Sequence, residues 1–302
     1  MKNLAWMGAL LAAVLAAAGC TGDDDGAGTE TDTGTDTGTA SDGDADGDAD
    51  SDADTDSDSD TETASDMGSA TSVVFLHHST GGVIWDGGVA AWIDAYNTAN
   101  AKTYAVTQRA YPDTPYPWEN YPYDYWNIWV RNAGSAPFNG QDTLEILTAA
   151  YDVIVFKHCF PVSGVGPDTG SPDIASPNKT QENYKLQYAA LKEKLHEFPD
   201  TRFIVWTGAA LRQSETDAES AARAKAFFDW VKNEWDEPGD NIFVWDFRQL
   251  ETDGGLYLTE EHASTDSHPN TTFAAEVAPL FGRRLADVIE GRGDTGSLTG
   301  ED

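Results

Sequence analysis

The chain has 302 residues, and its 52 acidic side chains outnumber 18 basic ones to give a formal charge of −34. Such an acidic surface would repel a phosphate backbone, so no nucleic-acid partner is expected. Two cysteines exclude a disulfide scaffold and a Cys-rich zinc module. Residues 21–70 hold eighteen acids and no Lys or Arg, and every aromatic residue except Trp6 lies after them. One core, of a size that suits a single α/β domain, is expected after residue 70.

The first twenty residues have the form of a bacterial export signal. The apolar run at 4–18 is too short to span a membrane and ends in small residues. Ala17-Ala18-Gly19-Cys20 resembles the lipobox of bacterial lipoproteins, although Leu is commoner at the position of Ala17. The resemblance implies lipidation of Cys20 (palmitate among the acyl chains) and a membrane anchor. Because Thr21 is not Asp, it implies the outer membrane, facing the periplasm or the cell surface. The alternative is an ordinary secretory signal with a chance cysteine.

Residues 21–70 consist of Asp, Thr, Ser, Gly and Ala in short repeats such as SDGDADGDAD. They offer no apolar surface to bury and their charges repel, so we expect a disordered, extended tether with a span of roughly 40 Å. Asp42, Asp44 and Asp46 match the start of an EF-hand calcium loop. However, Ala53 stands where the twelfth position of that loop takes Glu, and no helices flank it. A solvated tether is favoured over a calcium site.

From residue 71 onward, short β-branched runs alternate with amphipathic stretches, which indicates a parallel sheet covered by helices on both faces. Thr216 with Glu219 predicts a capping box, and Asn270 is expected to cap the last helix. The domain is predicted to span 71–292, followed by a disordered tail at 293–302. The predicted strands are 72–77, 103–107, 153–157, 203–207 and 242–246. The predicted helices are 88–99, 141–150, 180–197, 216–235 and 271–290.

The first predicted strand runs into the sequence His77-His78-Ser79-Thr80-Gly81. Ligands of parallel sheets bind beyond the carboxyl ends of the strands. A serine just past such an end, followed by small residues, can lift its hydroxyl above the sheet. The N–H groups of Ser79 and Thr80 would then face the same space, ready to hold an oxyanion. By itself the motif is equally consistent with a serine that caps the next helix.

A second polar group, Ser264 to Asn270, follows the fifth predicted strand. Pro269 stiffens this turn, which places the imidazole of His268 and the carboxylate of Asp266 beside the end of the first strand. A nucleophilic serine needs a base, and the base needs an acceptor that fixes its tautomer. We therefore expect Ser79, His268 and Asp266 to be catalytic. The alternative for His268 is a partly buried turn histidine.

These motifs resemble those of the SGNH (GDSL-type) hydrolase family over essentially all of 72–290. The resemblance is narrower to a subgroup with His-His-Ser-Thr-Gly in the first block and Phe-Lys-x-Cys-Phe-Pro after the third strand, here 156–161. It implies a three-layer α/β/α sandwich with a five-stranded, flavodoxin-like parallel sheet. By the same resemblance, Ser79 is the nucleophile and His268 the general base. No cofactor is implied.

The chain departs from the family pattern at two places. The family usually has Asp three residues before the histidine, where this chain has Thr265, and Asp266 lies two before. Either Asp266 or a backbone carbonyl is then expected to orient His268. No Gly-x-Asn-Asp follows the third strand, and Lys157 and His158 stand near that level instead. A lysine or an imidazolium there can stabilise an oxyanion, so both are candidates for that role.

Other residues admit both functional and structural interpretations. Residues 111–129 hold eight Tyr and Trp side chains, of which Trp118, Tyr123 and Trp126 are candidates for stacking on sugar rings. A loop that packs on its own side chains is the alternative. Cys159 is expected to pack rather than to attack substrate. Four histidines near strand ends suggest a metal, but no HxH or HExxH spacing supports one, so no metal ligand is predicted.

The sequence therefore predicts a serine esterase-like hydrolase that acts on an O-acetyl or short acyl ester. The expected substrate is an ester-bearing small molecule or an acylated glycan, with a cell-surface polysaccharide suggested by the anchor and the aromatic loop. Two alternatives stay open. One is a non-catalytic carbohydrate-binding lipoprotein on the same scaffold, which the missing oxyanion Asn and the shifted Asp favour. The other is a metal-dependent phosphoesterase.

Overall fold

The computed structural model describes residues 70–301. Five strands form one parallel sheet in the order β2-β1-β3-β4-β5, which is the flavodoxin-like order. All five predicted strands are confirmed, and the largest shift is at β2, which continues three residues past its predicted end at 107. The predicted signal, Cys20 and nearly all of the tether lie outside the described residues. The strands are β1 Thr71–His77, β2 Tyr104–Ala110, β3 Val153–Phe156, β4 Arg202–Trp206 and β5 Ile242–Trp245.

The helices agree with the five predicted ones and add three short ones, α1, α3 and α7. None of the helices in residues 70–301 is long and apolar enough to cross a bilayer. Three α-helices continue directly into π-helical segments: α1 into Trp85–Val89, α3 into Trp126–Arg131 and α6 into Val231–Trp235. The α-helices are α1 Thr80–Ile84, α2 Ala90–Asn100, α3 Pro122–Tyr125, α4 Leu144–Ala150, α5 Gln181–His196, α6 Ala218–Trp230, α7 Phe247–Thr252 and α8 Thr271–Ile289.

The helix starts test two predicted caps. Asn270 caps α8 as predicted, because its Oδ1 accepts the Phe273 N–H at 2.9 Å. The predicted capping box at the start of α6 is wrong. Asp217 is the cap instead, and its carboxylate accepts the Ser220 N–H at 2.8 Å. An aspartate is as strong a cap as a threonine, and Asp217 stands one position nearer to the helix.

Helices cover both faces of the sheet, and successive strand residues pack into different layers. Val73 and Phe75 of β1 face the layer that contains α8 and α2. Val74 and Leu76 face the opposite layer, which contains α5 and α6. All four side chains are buried, which explains why the strands are apolar without alternation. The fold is therefore a three-layer α/β/α sandwich.

The prediction of a disordered tail is wrong for 293–301. The N–H of Asp246 donates to the carbonyl of Leu298 at 2.8 Å, and the indole N–H of Trp245 donates to the carbonyl of Thr299 at 3.0 Å. The buried guanidinium of Arg284 donates to the carbonyl of Gly293 at 2.6 Å. Gly- and Thr-rich composition suggested disorder, but backbone carbonyls of this segment pair with donors at the end of β5 and on α8.

Glu251 on α7 connects that helix to the loop that follows β4. Its side chain is fully buried, and its Oε1 accepts the N–H of Ala210 at 2.7 Å. Burial raises the pKa of Glu251 to about 8, and the positive charge of Arg248 offsets only part of that effect. The folded protein therefore holds this proton at neutral pH, whereas an unfolded chain releases it near pH 4.3.

The variant Glu251→Gln should make stability less sensitive to pH. Between about pH 4.5 and pH 8 the native state binds more protons at this site than the unfolded state, so wild-type stability falls as pH rises. The glutamine side chain of the variant cannot ionise, and its amide oxygen can still accept from Ala210. Thermal unfolding should show the variant gaining on wild type by several degrees at pH 8 compared with pH 5.

Glu290→Gln is the matched control, because the fold lowers the pKa of Glu290 whereas it raises that of Glu251. Partial burial raises the pKa of Glu290, but hydrogen bonds from Arg292, Tyr96 and Tyr104 outweigh it and lower the pKa to about 2. That carboxylate stabilises the fold above pH 4.3 and loses this effect as pH falls toward 2. Glu290→Gln should therefore lose stability at pH 8. A Glu251→Gln variant with the same pH dependence as wild type would contradict the assignment.

Candidate active site

Ser79 lies in the sharp turn between β1 and α1, at the carboxyl edge of the sheet. Its φ of 52° and ψ of −111° fall in a region that costs a non-glycine residue about 1–3 kcal/mol. The next turn of chain packs closely over the strand end. A Cβ at Gly81 would lie 2.5 Å from the Cβ of His77, so only glycine fits there. This local geometry fixes the direction of the Ser79 side chain.

The hydroxyl of Ser79 is hydrogen-bonded to Nε2 of His268, across 189 positions of sequence. The second ring nitrogen, Nδ1, lies 3.0 Å from Oδ1 of Asp266. Because the ionised carboxylate can only accept, Nδ1 carries the proton and Nε2 is the acceptor for the serine hydroxyl. The His268 side chain is 31% exposed and that of Asp266 55%, so solvent reaches this end of the site.

Asp266 reaches the ring although it stands one position later than the family pattern places it. Its Oδ1 also accepts the backbone N–H of His268 at 2.9 Å and the hydroxyl of Ser264 at 2.8 Å. Partial desolvation raises the pKa of Asp266, but these hydrogen bonds outweigh it and lower the pKa to about 2. The carboxylate is therefore ionised at neutral pH. The two acceptors considered for His268 were Asp266 and a backbone carbonyl, and the structure brings the Asp266 carboxylate to the ring.

The loop after β4 holds the turn that carries His268. Arg212 donates from Nη1 to the carbonyl of Thr265 at 3.1 Å, and its backbone N–H donates to Oγ of Ser267 at 3.0 Å. The turn is also closed on itself, because the N–H of Ser264 donates to the carbonyl of His268 at 2.8 Å. Sequence reasoning missed Arg212, which stands in no motif, and gave Ser264 no role of its own within the polar group 264–270.

An aromatic ring adjoins each half of the Ser79–His268 pair. The ring of Phe160 packs edge-on against His268 at 5.3 Å between centroids. On the other side, Trp118 stacks on His78 at 3.8 Å and 14°. Nε2 of His78 is hydrogen-bonded to the carbonyl of Pro112 at 2.6 Å, which fixes the ring on which Trp118 lies. Trp118 therefore contacts the residue that precedes Ser79, and its role in substrate binding stays a prediction.

Asn120 anchors the aromatic loop. It is fully buried, and its Nδ2 donates to the carbonyl of Tyr111 at 2.8 Å. Its own carbonyl accepts the N–H of Cys159 at 2.8 Å, just after β3. Asp124, whose pKa burial raises to about 6, accepts the Asn120 N–H at 2.7 Å. The loop is thus tied to the ends of β2 and β3, which places Trp118 at the rim of the sheet.

Tyr123 and Trp126 pack within the aromatic loop. Their rings pack on each other at 5.6 Å, and Arg131 covers Trp126 at 5.8 Å from the ring centre. No described contact joins either ring to Ser79 or His268. Their assignment to substrate binding is not supported, and the interpretation of the loop as packing on its own side chains applies to both.

His158 and Lys157 do not contact an open oxyanion site. His158 is fully buried, its Nε2 is hydrogen-bonded to the hydroxyl of Tyr188 at 2.8 Å, and burial holds its pKa well below the usual range. Its side chain follows the strand alternation into the layer of α5, so the expected oxyanion role is wrong for it. Lys157 is also fully buried and donates from Nζ to the carbonyl of His78 at 3.1 Å.

Thr80 remains as an oxyanion candidate, and His77 remains among the histidines at strand ends that suggested a metal. Thr80 is buried and begins α1, so its N–H belongs to the first turn, which has no intrahelical partner. His77 is buried against Gln108 at 2.6 Å, and burial followed by the charge of Lys157 lowers its pKa to about 4. Within residues 70–301 no group of three or more His, Cys, Asp or Glu side chains could hold a metal ion.

Comparisons with known proteins assign no family to this chain. No protein-family model and no curated protein matches the chain. Among solved structures, the chain is similar to an acetyl xylan esterase at 14% identity and a TM-score of 0.44. The similarity covers 68% of this chain and 96% of that one. At this level the likeness carries no argument about the reaction.

Asp266→Asn should impair the site while leaving the fold intact. An amide at this position no longer fixes Nδ1 as the protonated nitrogen, and it cannot stabilise an imidazolium by charge. By analogy with other serine–histidine–aspartate sites, we expect kcat for a small ester to fall roughly 100- to 10,000-fold. Stopped assays at pH 7–8, with circular dichroism as the check on folding, measure the effect.

Thr265→Ala is the matched control, since it removes the side chain three residues before His268, where the SGNH pattern that the sequence resembles has its Asp. The carbonyl of Thr265, which accepts from Arg212, is retained. Activity should stay within about threefold of wild type. Equal activity of Asp266→Asn and wild type would show that the carboxylate has no part in the reaction.

Proposed function

We propose that residues 71–292 form a serine ester hydrolase of the SGNH (GDSL) type. One observation carries the proposal: a continuous chain of hydrogen bonds runs from the hydroxyl of Ser79 through the ring of His268 to the carboxylate of Asp266. A nucleophile bonded to a base, and the base bonded to an orienting acid, is the arrangement that activates a hydroxyl for acyl transfer.

In the proposed reaction, Oγ of Ser79 attacks the carbonyl carbon of an ester. Nε2 of His268 takes the serine proton and then gives it to the departing alcohol, which leaves an acyl-enzyme. Water, deprotonated by the same nitrogen, then attacks the acyl carbon. The bond from that carbon to Oγ breaks, the acid leaves, and His268 returns the proton to Oγ of Ser79. Asp266 keeps the ring in one tautomer throughout and stabilises the imidazolium. The low pKa of its carboxyl group suits this role at neutral pH.

The developing oxyanion is expected to accept from the backbone N–H groups of Ser79 and Thr80. Among the described residues no hydrogen-bond acceptor pairs with the N–H of Ser79. The N–H of Thr80 lies in the first turn of α1, where a partial positive charge favours an anion. Two backbone donors at one corner are sufficient for an oxyanion hole of ordinary strength.

We propose an acylated glycan as the substrate, with an acetyl or another short acyl group. Trp118 supports this choice, because it is partly exposed and lies beside the nucleophile, where an aromatic face can stack on a sugar ring. The alternative of a non-catalytic carbohydrate-binding lipoprotein was based in part on the shifted position of Asp266. That argument is weaker because Asp266 is hydrogen-bonded to the ring of His268.

Ser79→Ala should abolish hydrolysis of p-nitrophenyl acetate and release of acetate from acetylated xylan. Loss of the nucleophile leaves only the residual rate supplied by binding and the oxyanion donors, so kcat should fall by at least roughly 1000-fold. Covalent labelling by a fluorophosphonate, followed by mass spectrometry, should place the adduct on Ser79 in wild type and yield none in the variant.

Ser72→Ala is the matched control, because Ser72 lies on the same strand at the opposite edge of the sheet. Its hydroxyl donates to Oδ2 of Asp152 at 2.8 Å, at the end of β1 that lies away from Ser79. It should hydrolyse both esters at the wild-type rate. Retained esterase activity in Ser79→Ala would defeat the proposed function.

Trp118→Ala should impair the hydrolysis of an acetylated polysaccharide more than that of a small ester. If the indole stacks on a sugar, its loss removes about 1–2 kcal/mol of binding to the glycan, which raises KM for acetylated xylan roughly 5- to 30-fold. The KM for p-nitrophenyl acetate should change much less. Trp230→Ala, on α6, is the control for loss of a partly buried tryptophan. Equal effects of Trp118→Ala on both substrates would contradict the glycan assignment.

A further inference from the structure

Lys157 occupies an unusual place for a lysine. It directly follows β3 and its side chain is fully buried. Within residues 70–301 no carboxylate forms an ion pair with it. Its Nζ instead donates to the carbonyl of His78 at 3.1 Å and contacts Sγ of Cys159 at 3.7 Å. The charge of Lys157 also lowers the pKa of the buried Glu251 carboxyl, but the two form no ion pair. Burial of a lysine outside an ion pair is costly, so we look for a function at the carbonyl to which Lys157 donates.

We propose that Lys157 is a positioning residue, which holds and polarises the peptide group between His78 and Ser79 so that the Ser79 N–H faces the oxyanion. The proposal rests on the proposed esterase function. It differs from the direct oxyanion contact expected from sequence, because Nζ lies at the carbonyl end of the peptide and acts through it.

The geometry of the peptide carries the first part of this inference. The carbonyl of His78 accepts both from Nζ of Lys157 and from the N–H of Gly81 at 3.0 Å, so its direction is fixed by two donors. The peptide is trans, and in a trans peptide the N–H points away from the carbonyl. The N–H of Ser79 is therefore aimed away from Lys157, toward the side where no described group accepts it.

The backbone of Ser79 is strained, and the bond from Lys157 helps to hold it in that conformation. A non-glycine residue at φ 52° tends to relax, and relaxation would turn the peptide and its N–H. Two donors on one carbonyl oppose that rotation. Lys157 directly follows β3, so its bond ties the turn that carries Ser79 to β3, while the bond from Gly81 ties the same turn to α1.

Electrostatics carry the second part. A positive charge at the oxygen end of an amide draws electrons toward that end, which makes the N–H a stronger donor. The same charge is felt by neighbouring groups: after burial, Lys157 is the next cause that lowers the pKa of His77, and it also lowers that of His78. The positive charge favours an oxyanion bound to the far side of the peptide and discourages a second cation there.

The test compares Lys157→Met with wild type in the full chain. Methionine fills similar volume without charge or donor, so the fold should persist. Removing one oxyanion donor outright costs 10²–10³ in kcat in a well-studied protease. Lys157→Met keeps the Ser79 N–H but leaves it free to turn, so we expect a loss at the low end of that range, roughly 100-fold. KM for p-nitrophenyl acetate should stay within about threefold, because the ground state makes little use of the oxyanion hole. The rate of Ser79 phosphonylation by a fluorophosphonate should fall by the same factor as kcat.

Lys194→Met is the matched control, because Lys194 is also buried but pairs with Glu145 and Glu197, away from the nucleophile. It should lose stability without losing kcat or phosphonylation rate. If Lys157→Met does not fold, Lys157→Gln repeats the comparison, with a neutral donor in place of the ammonium. Failure of both to fold would assign Lys157 to stability alone and overturn the proposal.

The outcomes separate this inference from the function on which it rests. A wild-type protein that neither hydrolyses esters nor reacts with the fluorophosphonate at Ser79 refutes the esterase. A wild type that does both, while Lys157→Met keeps wild-type kcat and labelling rate, refutes only the positioning role. Parallel losses of kcat and labelling rate at constant KM, with Lys194→Met unaffected in both, support it.

Discussion

The hydrogen bond between Ser79 and His268 joins two turns that lie 189 positions apart, and the fold is what brings them together. Ser79 is fixed by the end of a central strand, since β1 lies between β2 and β3. His268 is fixed from the other direction, by the cap of α8 at Asn270 and by the loop after β4. If either turn shifted by an ångström or two, the hydroxyl and the ring would separate, and the proposed nucleophile would lose its proposed base.

Buried polar groups hold the loops around this pair. Asn120 ties the aromatic loop to the ends of β2 and β3, Glu251 ties the loop after β4 to α7, and Lys157 ties the nucleophile turn to β3. Each of these side chains carries a desolvation penalty, which a core made only of apolar residues would avoid. The penalty is offset where backbone N–H and C=O groups at the sheet edge acquire a partner. Hydrogen bonds therefore hold the loops at the carboxyl edge of the sheet, whereas apolar packing holds the two helix layers against its faces.

The sequence predicted the fold, and it named Ser79, His268 and Asp266, which the structure brings together, but it did not predict what surrounds them. Apolar runs locate strands because both faces of a parallel sheet are buried, and a Ser and a His at strand ends indicate one rim. The reach of Asp266 depends on side-chain rotation within a turn, which spacing alone leaves open. Lys157 bonds to the carbonyl of His78, whereas His158 bonds to Tyr188 in the layer of α5. This difference depends on which residue after β3 faces which layer. The ordered tail at 293–301 was missed because composition does not reveal that Trp245 and Arg284 supply donors to its carbonyls.

The most direct test of the account is a crystal structure of the full chain after reaction with a fluorophosphonate. The account predicts phosphorus bonded to Oγ of Ser79, with one phosphonyl oxygen about 2.7–3.1 Å from the backbone nitrogens of Ser79 and Thr80. It also predicts that Nζ of Lys157 remains on the carbonyl of His78. An adduct on another residue, or a phosphonyl oxygen turned away from both nitrogens, would contradict it.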